Sequence, residues 1–182
     1  MVQYAVPTGD VSVTSYENNL GGTTNLYQSV NDGIDGGTPD DSSFVLPVGF
    51  GFPAPDVIFW LSGLQEPSTR ADDTHELKIR TALVGSFAPN LSLYLIQAPS
   101  TTIKTQSFVI GNTSVFETGF TLSQTEANNI TDYSQLQVRL NGGLGGSDYA
   151  KTTEIEFQIP DAGGGGGGEP PKLHPEFFIA LL

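Results

Sequence analysis

From His75 to Val84 the chain alternates strictly. Leu77, Ile79, Thr81 and Leu83 fall on one side, and Glu76, Lys78, Arg80 and Ala82 on the other. A period of two is the signature of a strand with one face in a core. The same period returns at Leu136, Val138 and Leu140, set against Gln135, Gln137 and Arg139, and again at Ile155, Phe157 and Ile159. Runs at 2–6, 11–16, 44–46, 56–64, 91–97 and 101–110 have strand length and strand composition. They follow one another at short spacing, with turn residues between them and no βαβ rhythm. The expected fold is therefore all-β, an antiparallel β-sandwich or jelly roll with one short helix.

The helix belongs to the stretch Phe116–Leu140. Phe116, Phe120 and Leu122 form an apolar rail. Ser123 with Glu126 three residues on has the spacing of a capping box. Ala127 and Ile130 share the face that follows. Tyr133, just ahead of the next strand, is expected to bury its ring and donate its hydroxyl to a nearby backbone group, as in a tyrosine corner. Pro7-Thr8-Gly9-Asp10 reads as a turn. Leu26, Tyr27 and Val30 read as one helical turn in a long loop, 17–43, folded over one end of the sandwich. The run Asp56–Leu64, with the sole tryptophan Trp60, reads as a strand buried on both sides, or with one face in the core and one against a partner.

The formal charge is −13, from 20 acids against 7 bases. Nucleic acid and anionic membrane surfaces are thereby disfavoured as partners, since both need clustered Lys and Arg. With no cysteine there is neither a disulfide nor a thiolate metal site. The first ten residues lack the basic and apolar regions of a secretory leader, so a cytoplasmic origin is expected. The acids between Asp32 and Asp41 are irregularly spaced for an EF-hand, and read as capped turns more readily than as a calcium loop. The two histidines, His75 and His174, show no metal-binding spacing, and no G-x-S-x-G elbow occurs. The expectation is a protein that is not an enzyme and needs no cofactor. Trp60, Tyr94, Tyr149 and Tyr27 are candidates for stacking on sugars, with a core role as the competing reading for each. Asn90, Asn112 and Asn129 match the glycosylation acceptor, which has meaning only on a secretory route.

The domain reading is a body over 1–162, a Gly/Pro linker over 163–171 and an apolar C-terminal peptide over 172–182. Gly163–Gly168 is unbroken glycine, a flexible tether. Beyond it Leu173, Phe177, Phe178, Ile179 and Leu181 are candidate partner-binding anchors, set either to complete the chain's own core or to dock on another subunit.

Two motifs carry a resemblance. L-Y-Q-S-V-N-D-G at Leu26–Gly33, followed by T-P-D-D-S-S-F-V at Thr38–Val45, resembles a LYxxIDE…PDDxDYI pattern. T-L-S-Q-T-E-A-N-N-I-T-D-Y-S-Q-L-Q-V-R-L at Thr121–Leu140 resembles LSxxEAxxIxDYSxLxVRL. The pair is similar to one found in β-sandwich proteins of tailed bacteriophages, often among virion structural genes. Asn31 and Ser43 depart from that pattern. The resemblance implies a virion component without catalytic residues. The expected role is a capsid decoration (cement) protein, assembled in the host cytoplasm and bound to the major capsid protein or another virion protein, as a homo-oligomer such as a trimer. The alternative is a phage tail or fibre component, or a secreted carbohydrate-binding adhesion module.

Overall fold

The computed structural model describes residues 2–48, 54–145 and 148–162. The strands are β1 (Val2–Ala5), β2 (Pro7–Thr14), β3 (Tyr16–Asn18), β4 (Val45–Pro47), β5 (Asp56–Leu61), β6 (Glu76–Val84), β7 (Asn90–Gln97), β8 (Thr101–Val109), β9 (Phe116–Thr121), β10 (Leu136–Gly142), β11 (Leu144–Gly145) and β12 (Asp148–Pro160). Among the described residues the one α-helix, α1, spans Gln124–Asn128, and 3₁₀ turns occupy Leu26–Ser29 and Tyr133–Gln135.

One sheet runs β3-β4-β12-β6-β9, with β1 and β11 also on β12; the other runs β2-β5-β10-β7-β8. Every ladder is antiparallel. The pairs β4/β12, β5/β10, β6/β9 and β7/β8 nest one inside the next along the chain. A long hairpin wrapped across two sheets gives that nesting, which is the jelly roll. Its tip is the β7–β8 turn, where the Ala98–Pro99 peptide is cis.

The alternation decides what goes inside. Val57, Phe59, Leu77, Ile79, Leu91, Leu93, Leu95, Val138, Leu140, Ile155, Phe157 and Ile159 are fully buried or nearly so, between the sheets. Each such aliphatic or aromatic side chain contributes about 1.5–3 kcal/mol by leaving water. Ser123 caps α1 as the spacing predicts, with its own N–H donating to Glu126 at 2.8 Å, and Ala127 and Ile130 are buried.

Three expectations are corrected. Pro7–Asp10 is part of β2, not a turn; β2 is an edge strand with two register shifts, where Pro and Gly are tolerated. Tyr133 does not bond to backbone. Its hydroxyl meets Nε2 of His75 at 2.8 Å, and it is Tyr16 whose hydroxyl donates to a backbone carbonyl, that of Gly142, at 3.2 Å. The third concerns the long loop. Residues 31–41 do not cap an end of the sandwich; they lie across the outer face of the larger sheet. Glu154 and Glu156 project outward from β12 beneath them, and both are fully buried. Glu156 accepts the backbone N–H groups of Ile34, Asp35 and Gly36 at 2.9–3.0 Å. Glu154 accepts those of Asp32 and Asp40 at 3.1 and 2.8 Å. From β6, Lys78 pairs with Asp35, and Arg80 with Asp41 at 2.6 Å. Asp35 and Asp41 thus serve as fastenings, while Asp40 caps a local turn as expected, accepting the Ser42 N–H at 2.9 Å. Among the described residues no group of three or more metal-ligating side chains occurs.

Candidate functional site

The larger sheet is covered by its own loop, whereas none of the described segments covers the outer face of the five-stranded sheet. The registers place its outward residues in rows. Trp60 on β5 faces Gln137 on β10, which faces Ile96 on β7. One step along, Ile58, Arg139 and Tyr94 form the next row, with Thr105 of β8 beyond. Asp56, Asn141, Ser92 and Ser107 form a third. β5 therefore alternates, with Val57, Phe59 and Leu61 inward and Ile58 and Trp60 half-exposed. Of the two readings of this run, one face in the core and one turned outward is the observed one.

Trp60 and Tyr94 are separated by one intervening strand and one two-residue step. With strands about 4.8 Å apart and about 3.4 Å per residue, their Cα atoms stand roughly 12 Å apart. Gly9 on β2 leaves space beside the indole, where a Cβ would come within 4.0 Å of its Cδ1. Between the two rings lie the polar groups. Gln137 is 5% exposed; its amide reaches the surface but makes no hydrogen bond among the described residues. Arg139 stacks its guanidinium 5.0 Å from the centre of the Tyr94 ring and donates from Nε to Asp56 at 2.5 Å. Asn141 donates to the same carboxylate at 3.1 Å. Aromatic faces beside an open amide and a guanidinium, with the carboxylate of Asp56 in the next row, offer apolar stacking together with fixed donors and acceptors.

The other candidates fall elsewhere. Tyr27 sits in the 3₁₀ turn that Asp10 caps and packs partly on the core. Tyr149 is on β12, in the other sheet. Leu173, Phe177, Phe178, Ile179 and Leu181 lie outside the described residues. Gln137, Arg139, Asp56 and Asn141 were not singled out by sequence; the one signal was that Gln137 and Arg139 alternate against Leu136, Val138 and Leu140.

A cleft of about 570 Å³ opens between the edges β8 and β9, lined by Glu76, Lys78, Lys104, Gln106 and Glu117. Its cations are already engaged. Lys104 donates to Glu126 and to the Thr121 carbonyl, and Lys78 to Asp35. His75 is also spent structurally. It is buried, bridges Tyr133 and Thr74, and burial together with the nearby Arg70 charge lowers its pKa to about 4.

No known protein family and no curated protein matches the chain. Among solved structures it is similar to the Arthrobacter globiformis T6 isomalto-dextranase complexed with panose, at 18% identity over 84% of this chain and 22% of that one, TM-score 0.47. It is similar to the xylan-binding module CBM15, at 8% identity over 87% of this chain and 97% of that one, TM-score 0.43. It is also similar to the enzymatically active domain of tailspike protein 4 of bacteriophage CBA120, at 9% identity over 85% and 19%, TM-score 0.41. The chain spans about a fifth to a quarter of the length of such enzymes. Likenesses this loose leave function to the chemistry of the face itself.

Proposed function

We propose that this chain is a non-catalytic glycan-binding module that holds its ligand on the outer face of the five-stranded sheet. The observation that carries the reading is the Gln137 amide, which reaches the surface without a partner among the described residues, set beside two partly exposed rings, Trp60 and Tyr94. A sugar presents C–H faces that stack on an aromatic ring, and hydroxyls that both donate and accept. An amide that reaches the surface without a partner among the described residues can both donate to and accept from those hydroxyls. The test is a glycan array followed by titration of any hit. Trp60→Ala and Tyr94→Ala should each weaken binding by about 2 kcal/mol, roughly 30-fold, as central aromatic anchors do. Binding that ignores both substitutions sinks the assignment.

The resemblance to virion proteins of tailed phages supplies a setting, a tail or fibre component that contacts a host glycan. The capsid-decoration reading depends instead on the C-terminal anchors, with the major capsid protein as partner. Co-sedimentation with shells lacking this protein separates the two. A chain stopped at Ala162 should fail to pellet if the tail is the anchor, and should still bind glycan if the sheet face is the site.

A further inference from the structure

Among the described residues, Arg139 is the one arginine whose terminal nitrogens meet no acceptor. Arg70 gives Nη2 to Glu66, and Nη1 to the carbonyls of Ala127 and Asn128. Arg80 gives Nη1 to Glu117 and Nη2 to Asp41. Arg139 is held through Nε by Asp56 and through its plane by Tyr94, and no acceptor among the described residues meets Nη1 or Nη2. Its side chain keeps 34% of its exposure, in the middle of the row between Ile58 and Tyr94.

The surroundings match. The five strands of this sheet contain only two acids, Asp10 and Asp56. Asp10 is turned to the 3₁₀ turn, where it accepts from Leu26 and Tyr27. The larger sheet, by contrast, carries Glu17, Glu76, Glu117, Asp148, Glu154 and Glu156. A chain with 20 acids and 7 bases has thus kept one face nearly free of carboxylates and placed there a guanidinium with two open donors.

Resting on the glycan-binding reading, we propose that the ligand is an acidic glycan whose anionic group, a uronate carboxylate or a sulfate ester, seats on Nη1 and Nη2 of Arg139 while neighbouring sugar faces stack on Tyr94 and Trp60. The planar fork matches two oxygens of one anion. Stacking and the Asp56 bond fix the fork before the ligand arrives, so little side-chain freedom is lost on binding.

The experiment uses the full chain on an array in which neutral, uronate and sulfate members share backbones, then isothermal titration of matched pairs such as polygalacturonate with its methyl ester and dextran sulfate with dextran. Acidic members should bind roughly 10- to 100-fold more tightly than neutral partners, the range of a charge-assisted hydrogen-bonded pair. Preference within the uronate or the sulfate series identifies the anion. Arg139→Gln should bring the acidic-to-neutral ratio close to one, and Arg139→Lys, which keeps charge without the fork, should restore part of it. Urea unfolding followed by Trp60 fluorescence checks that both variants fold. Equal binding of acidic and neutral partners, or a ratio that survives Arg139→Gln, overturns this inference while leaving the glycan-binding face standing. Binding to no glycan at all overturns both.

Discussion

Replacing Glu154 with Gln should expose a pH dependence of stability that the native chain conceals. Burial, with the Asp32 charge adding to it, raises the Glu154 carboxyl from 4.5 to about 7. Between those values the folded state holds the proton that the unfolded state has lost, so stability falls as pH rises. From pH 5 to pH 7 the fall is about 2 kcal/mol, somewhat less than 1.36 kcal/mol per pH unit because pH 7 lies at the folded value and pH 5 close to the unfolded one. His75 acts the other way. Its pKa drops from 6.5 to about 4 on folding, so between those values the unfolded state holds more protons and stability falls as pH drops. From pH 6.5 down to pH 5 that fall is about 2 kcal/mol. The two nearly cancel, and the native chain should vary by less than about 1 kcal/mol across pH 5–7. Glu154→Gln should lose about 2 kcal/mol on going from pH 7 to pH 5, and His75→Gln should gain a similar amount. Urea denaturation read by the single tryptophan, repeated at half-unit steps of pH, measures all three. A Glu154→Gln profile as flat as the native one would refute the reasoning, since it would mean that neither buried group titrates in this range.

Other expectations follow from the same packing. Glu156→Gln keeps the shape but leaves one of three backbone N–H groups facing an amide nitrogen, at a cost of about 2–4 kcal/mol; limited proteolysis should then cut within 31–41, and an unchanged urea midpoint would count against the fastening role. Gly119→Ala places a Cβ 2.0 Å from the Leu77 carbonyl oxygen and 2.9 Å from the Lys78 Cα, backbone atoms that cannot turn aside. It should cost about 3 kcal/mol by overpacking, seen as a lower urea midpoint, and a loss below about 1 kcal/mol would mean that β9 can slide.

The strands were legible because period-two alternation is local. β6, β10 and β12 could be read from seven to thirteen consecutive residues each. The Ser123 cap was legible for the same reason, since both partners lie within four residues. The missed features are those whose partners are distant. His75 lies 58 residues from Tyr133, and Glu156 lies 120–122 from the amides it holds. Pro7 and Gly9 looked like a turn because propensity is blind to edge position. At the site, Trp60 and Tyr94 could be named singly, but their shared face depends on two registers set through β10. Gln137 and Arg139 acquire meaning only once those registers put them between the rings.

The two outer faces differ in a way that bears on function. On the larger sheet the chain uses the eleven residues 31–41, two buried glutamates and ion pairs from Lys78 and Arg80 to cover the surface. The same chain therefore has the means to cover a sheet. On the five-stranded sheet none of the described segments plays that part, although its outward positions include Trp60, Tyr94 and Ile58, which are partly exposed and would gain up to about 1 kcal/mol apiece from full burial. Stability alone would favour a cover there too, or polar residues in place of the rings. The Gln137 amide and Nη1 and Nη2 of Arg139 stay open to water on the same face, with no partner among the described residues. A ligand with flat apolar faces and hydrogen-bonding edges, the kind proposed for this face, would cover the rings and meet both polar groups at once.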